Sequence, residues 1–135
     1  MVKSINYGSL NSLAIYSIFS SIDFLKNENF ANKKHELSDY LIKKLHSLDN
    51  IIVYLPDEYI SRGIVSFNVD GYTADEIGTI LSEDYDICVR TGYHCCPYIH
   101  DFIGSKKYLG TVRVSMGIFS SFDEIDKLID ALKNL

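Results

Sequence analysis

All three cysteines of the 135-residue chain, one histidine and one arginine fall inside residues 87–97, ICVRTGYHCCP. Cysteine reacts as the thiolate, a form that nearby positive charge favours and apolar burial disfavours. Ile87 and Val89 alternate with Cys88 and Arg90 as in a short strand, and Thr91-Gly92 then breaks the run. Tyr93, His94, Cys95 and Cys96 therefore fall on a loop, where Cys95 is presented to solvent beside His94 and Arg90. Cys88, on the strand, reads as a small buried hydrophobe and the least reactive of the three.

Arg113 is the second residue that asks for chemistry. It sits between Val112 and Val114 in the run 111–116, and a guanidinium half-sunk in a strand requires an anion. Its planar fork suits a carboxylate, which leaves two readings open: a substrate carboxylate, or a structural pair with Asp101 or Asp123. His94, Cys95, Cys96 and His100 are zinc-ligand types, but adjacent cysteines do not fill two tetrahedral vertices and no second ligand pair exists, so the spacing argues against a metal.

The elements that must position these residues follow from periodicity. Leu10, Leu13, Ala14, Ile18, Ile22 and Leu25 recur at helical spacing, and Ile15 and Phe19 add a second apolar face, so a helix over 10–25 is expected to be covered on both sides. A second helix is expected over 29–48, with His35 and His46 on its surface. Strands are expected at 51–54 and 64–69. Thr73-Ala-Asp-Glu76 and Ser121-Phe-Asp-Glu124 are capping boxes that open helices, the first running through Leu81 and the second carrying Phe122, Ile125, Leu128, Ile129 and Leu132 on its apolar side. Between them lie the strand into the cysteine loop, a loop with Gly104 and Gly110, and the strand 111–116. Its alternation puts Val112, Val114 and Met116 on one face and Thr111, Arg113 and Ser115 on the other. This order predicts one α+β domain over 1–135, a mostly antiparallel sheet covered by helices.

Composition narrows the function classes. With 47% hydrophobic residues and a mean hydropathy of +0.02 the chain buries a real core, and a net charge of −5 with short basic pairs only disfavours nucleic acid or an anionic membrane as partner. Serines and Asp23 interrupt the apolar run at 10–19 well short of the roughly 20 residues a membrane span needs. An odd number of cysteines in a chain of this size fits a reducing cytoplasm and leaves a thiol free for chemistry.

Together the segments VRTGYHC (89–95) and TVRVS (111–115) resemble the C-terminal part of the pyridoxal-phosphate-dependent cysteine desulfurases of the class V aminotransferase family. His94, Cys95, Pro97 and His100 match the subfamily with a His-Cys-x-Pro sequence and a later histidine. Gly8-Ser9-Leu10-Asn11 is similar to the family's Gly-Thr-x-Asn turn, and the final helix to its last helix. The resemblance implies the small C-terminal domain of a fold-type I pyridoxal-phosphate enzyme. It implies Cys95 as the nucleophile that takes sulfur from L-cysteine as a persulfide, with His94 beside it, and Arg113 as the clamp on the substrate carboxylate. It also implies Ser9 as a contact to the cofactor phosphate of the neighbouring subunit, and hence a homodimer. Ser9 stands for the usual threonine, and Cys96 for a common alanine, where it could compete for or resolve a persulfide. The large cofactor domain is missing, and no lysine has the setting of the Schiff-base lysine; Lys34 precedes a histidine where the family's follows one. The expectation is a piece of an enzyme, unable to hold the cofactor covalently or to turn over alone. The competing readings are a scaffold module that dimerises or docks on a separate cofactor domain, and a thiol sulfur carrier using Cys95 and Cys96.

Overall fold

The computed structural model describes residues 10–27, 30–56, 58 and 63–135, and the chain forms two compact units, 1–30 and 31–135. Within the first, α1 spans Ser12–Asn27. The Asn11 side-chain oxygen accepts from the Ala14 N–H at 3.0 Å and caps its first turn. Its apolar residues are exposed, Leu13 at 80% and Phe19 at 62%, with Ile18 and Ile22 open as well. Among the described residues of this unit, the expectation that both faces of this helix are covered is not met. No helix among the described residues is long and apolar enough to cross a membrane.

The second unit holds the core. Helix α2 (Phe30–Leu45) buries Leu37, Leu41 and Leu45, one residue per turn on a single stripe. Strands β1 (Ile51–Tyr54), β2 (Ile64–Val69) and β3 (Val112–Ser115) form an antiparallel sheet in the order β1-β2-β3. The register sets Val53 opposite Phe67 and Phe67 opposite Val112. One face therefore carries Val65, Phe67, Val69 and Val112 into the core, and the other carries Tyr54, Ser66, Asn68 and Arg113. Helices α3 (Ala74–Tyr85) and α5 (Phe122–Lys133) complete the core with Ile77, Leu81, Ile125, Leu128, Ile129 and Leu132. Both capping boxes form as the sequence predicts: Thr73 accepts from the Glu76 N–H and Ser121 from the Glu124 N–H, while each glutamate returns the bond to the cap residue's N–H. The architecture is the expected α+β arrangement with an antiparallel sheet.

Two expectations are corrected. Residues 87–89 are not a strand; only Arg90 pairs, in an isolated antiparallel bridge with Arg113. The expected loop after the cysteines instead contains helix α4 (Pro97–Phe102), with Pro97 at its start, and a 3-10 helix at Ser105–Tyr108. A proline at the first helical position lacks only an N–H that would be unpaired there in any case.

A candidate active site around the cysteine turn

Arg90 and Arg113 exchange both backbone hydrogen bonds, Arg90 N–H to Arg113 C=O at 3.1 Å and the reverse at 2.7 Å. Directly opposed residues of an antiparallel pair place their side chains side by side, and like charges there repel. The Arg113 Nε is buried with no hydrogen-bond partner, and Arg113 forms no ion pair among the described residues. Of the two acids considered as structural partners, Asp101 is instead paired with Lys106 at 2.8 Å. The arginine pair is a concentration of positive charge with unused donors.

Two residues beyond this bridge the chain turns sharply. The Cys96 N–H donates to the Tyr93 carbonyl at 2.9 Å, and the two central residues of this turn, His94 and Cys95, have φ of 51° and 62°. Left-handed backbone costs a residue with a Cβ about 1–2 kcal/mol, so the turn is held by its surroundings. Thr91 donates to Asp75 on α3 at 2.6 Å, and the Thr111 N–H donates to the Gly92 carbonyl at 3.1 Å. The turn brings the Cys95 Sγ to 3.7 Å from an Arg90 Nη. Cys96 faces elsewhere, into a cavity of about 730 Å³ between the end of β1 and α4 that His94, Tyr54 and Phe102 also line.

His94 lies 3.1 Å from the Thr111 carbonyl and 3.0 Å from its hydroxyl, both through Nε2. A carbonyl only accepts, so Nε2 carries the proton and Nδ1 is bare; Nδ1 is buried without a partner. Burial, followed by the Arg113 charge, holds the His94 pKa below the ordinary histidine value, against the opposing Thr111 backbone bond. His94 is thus the neutral imidazole at pH 7, and the cation beside Cys95 is Arg90.

Cys95 and Cys96 are exposed, as expected, but so is Cys88. The correction follows from the same alternation that suggested a strand: Ile87 and Val89 pack against the core, which sends Cys88 to the opposite side with Arg90. Ser9 lies outside the described residues. The structure brings Cys95, His94 and Arg113 around one bridge together with Arg90, which among the described residues is the one that reaches the thiol. Asp75, Gly110 and Thr111, which brace the loop, carried no signal in the sequence, because each acts through a contact distant along the chain.

A family model described as Aminotransferase class-V matches residues 2–128. A cysteine desulfurase of Haloferax volcanii is 33% identical over 116 residues, 84% of this chain and 26% of that protein. Among solved structures, an apo cysteine desulfurase from Thermococcus onnurineus NA1 superposes with a TM-score of 0.67 at 29% identity, over 77% of this chain and 26% of that one. A C-DES mutant with glycine covalently linked to its PLP cofactor shares the fold, with a TM-score of 0.61 at 21% identity over 80% of this chain and 24% of that one. The chain spans about a quarter of the length of the curated relatives it matches, 26% and 28% of the first two.

Proposed function

Since the chain belongs to the class V aminotransferase family, we propose that it is the sulfur-accepting part of a cysteine desulfurase, acting on L-cysteine or a similar amino acid for sulfur transfer or iron-sulfur cluster assembly. The observation that carries the reading is the Arg90–Arg113 bridge, whose buried, unpartnered Arg113 Nε and thiol-facing Arg90 offer two anion sites side by side. Arg113 clamps the substrate carboxylate. Arg90, 3.7 Å from the Cys95 sulfur, faces that atom, and Cys95 takes up the sulfur atom as a persulfide. His94, neutral and next to Cys95 in the turn, is the base the reading assigns to the site, Nδ1 being its ring nitrogen without a partner.

Pyridoxal phosphate, when bound, supplies the electron sink that weakens the substrate's carbon–sulfur bond. The described residues fit the substrate and the sulfur better than the cofactor's covalent attachment. The amines of Lys33, Lys44, Lys106 and Lys133 are engaged with the Ile118 carbonyl, Asp126, Asp101 and Asp130. The cofactor's lysine and ring pocket belong, in this reading, to a separate large domain, with Ser9 reaching a phosphate across a homodimer. Alone the chain accepts sulfur without turnover. Three free cysteines suit a reducing, cytoplasmic setting.

Incubation with a small-molecule persulfide donor, followed by mass mapping of sulfane sulfur, tests the assignment. The added sulfur is expected on Cys95 and lost in Cys95→Ser. Its appearance on Cys88, or an unchanged yield in Cys95→Ser, overturns it.

A further inference from the structure

The turn that presents Cys95 is one its own residues disfavour. His94 and Cys95 are both left-handed, and neither is the glycine or asparagine that takes such a backbone readily. The turn's only internal tie is the Cys96 N–H on the Tyr93 carbonyl. That carbonyl receives a second donor from outside the turn. His100 on α4 is 2% exposed, and its Nε2 lies 3.1 Å from the Tyr93 oxygen. Its Nδ1 lies 2.7 Å from the hydroxyl of Ser105, which is fully buried. The rings of Tyr93 and His100 meet edge to face at 5.1 Å.

The hydrogen-bond roles are fixed by the partners. The Tyr93 carbonyl only accepts, so Nε2–H donates to it; Nδ1 is then bare and accepts from the Ser105 O–H. Ser105 thereby selects the tautomer that can grip the turn. His100 meets the His94 ring with centroids 6.2 Å apart, but it touches neither Cys95 nor the two arginines in any described contact.

We propose that His100 is a positioning residue for Cys95: oriented by Ser105, it clamps the Tyr93 carbonyl and so holds His94 and Cys95 left-handed, with the thiol turned toward Arg90 and away from the cavity that Cys96 faces. Without the clamp the turn relaxes toward ordinary backbone and the thiol leaves the guanidinium. The inference rests on Cys95 as the sulfur acceptor for its purpose, but not for its test.

The test compares two thiols in one molecule. The intact chain is alkylated with limiting iodoacetamide, and the ratio of Cys95 to Cys96 labelling is read by mass spectrometry. His100→Leu should lower that ratio about fivefold, the population change expected from losing one net hydrogen bond. In His100→Gln the amide N–H stands where Nε2 stands and should restore the ratio to within about twofold of the parent. His100→Asn carries its amide where Nδ1 stands, falls short of Tyr93 and should behave as the leucine variant does. A merely structural histidine would not separate Gln from Asn. If His100→Leu fails to fold, Ser105→Ala, which keeps the ring and removes its orienting partner, should lower the ratio in the same sense. An unchanged ratio in folded His100→Leu or in Ser105→Ala, or equal ratios for Gln and Asn, overturns the proposal. A parent protein that takes no sulfane sulfur on Cys95 refutes the sulfur-acceptor reading alone and leaves this ratio to decide the clamp.

Discussion

Gly110→Ala should damage both stability and the presentation of the cysteine turn. Gly110 is buried at φ 121°, immediately before Thr111 and β3. A Cβ there would overlap the Gly92 carbonyl carbon and oxygen and lie 2.7 Å from the Gly92 Cα, all of them backbone atoms that no rotamer change can move aside. Two costs add. A residue with a Cβ in this backbone region loses about 1–3 kcal/mol, and relieving the overlap by backbone displacement costs about 1–3 kcal/mol more, for a total of roughly 2–6 kcal/mol. Gly71→Ala is the internal control, since Gly71 has φ 88° but no atom within 4 Å of the added Cβ; only the first cost applies, about 1 kcal/mol at its lower end. Urea unfolding of the two variants measures the difference, and with a slope of about 1–3 kcal/mol per molar urea the Gly110 variant should unfold at least about 0.3 M earlier than its control. Gly92 separates the Arg90 bridge from the turn, so the same variant should also lower the Cys95 to Cys96 labelling ratio. Equal midpoints for the two variants would refute the close approach of Gly110 and Gly92, and with it the account of how the loop is held.

His94 supplies a pH signature. Its pKa is held below the usual histidine value in the fold, so as pH falls through about 6.5 the unfolded chain binds the proton first and stability declines until the folded value is passed. His94→Gln should show a shallower loss between pH 7.5 and pH 5.5 in urea midpoints, each pH set about one unit from the unperturbed histidine value; identical slopes would contradict the neutral assignment. The exposed apolar residues of α1, Leu13 and Phe19 foremost, suit burial against a second copy of the chain. Sedimentation should find an associated species that Leu13→Ser with Phe19→Ser dissociates, and a monomeric parent would count against this.

Much of the fold was legible because it depends on local pattern. The bounds of β1 and β2 follow from β-branched runs closed by Pro56 and by Asp70-Gly71, and the two capping boxes fix the starts of α3 and α5. The misreadings have a common cause. An extended segment alternates its side chains whether or not it has a sheet partner, so Ile87 and Val89 looked like a strand when only Arg90 pairs. Helix α4 and the 3-10 helix, six and four residues long, are too short to show a period, so the sequence pattern there predicts loop. At the site, Cys95 and Arg113 were legible as anomalies of type and place. The bond from Thr91 to Asp75 and the His100 contact to the Tyr93 carbonyl were not, because they join residues through folded geometry.

The electrostatics of the site were legible in sign and, at Arg90 and Arg113, in source, but the charge state of His94 was not. The sequence places a histidine beside Cys95, and a charged imidazole there would favour the thiolate. In the fold that imidazole is kept neutral by burial and by Arg113, while Arg90, five residues back, reaches the sulfur. The division has a chemical logic. On the proposed reading, a permanent cation at the thiol relieves the histidine of that role, and the neutral imidazole, bare at Nδ1, can receive a proton where a charged one could not. On the same reading, the repulsion between two opposed guanidiniums is relieved by the anions they would meet, the Cys95 sulfur on the Arg90 side and a substrate carboxylate on the Arg113 side. The arginine bridge, the strained turn and the neutral histidine thus form one arrangement: the bridge supplies charge, the turn aims the sulfur at it, and the histidine is kept neutral first by burial and then by the Arg113 charge.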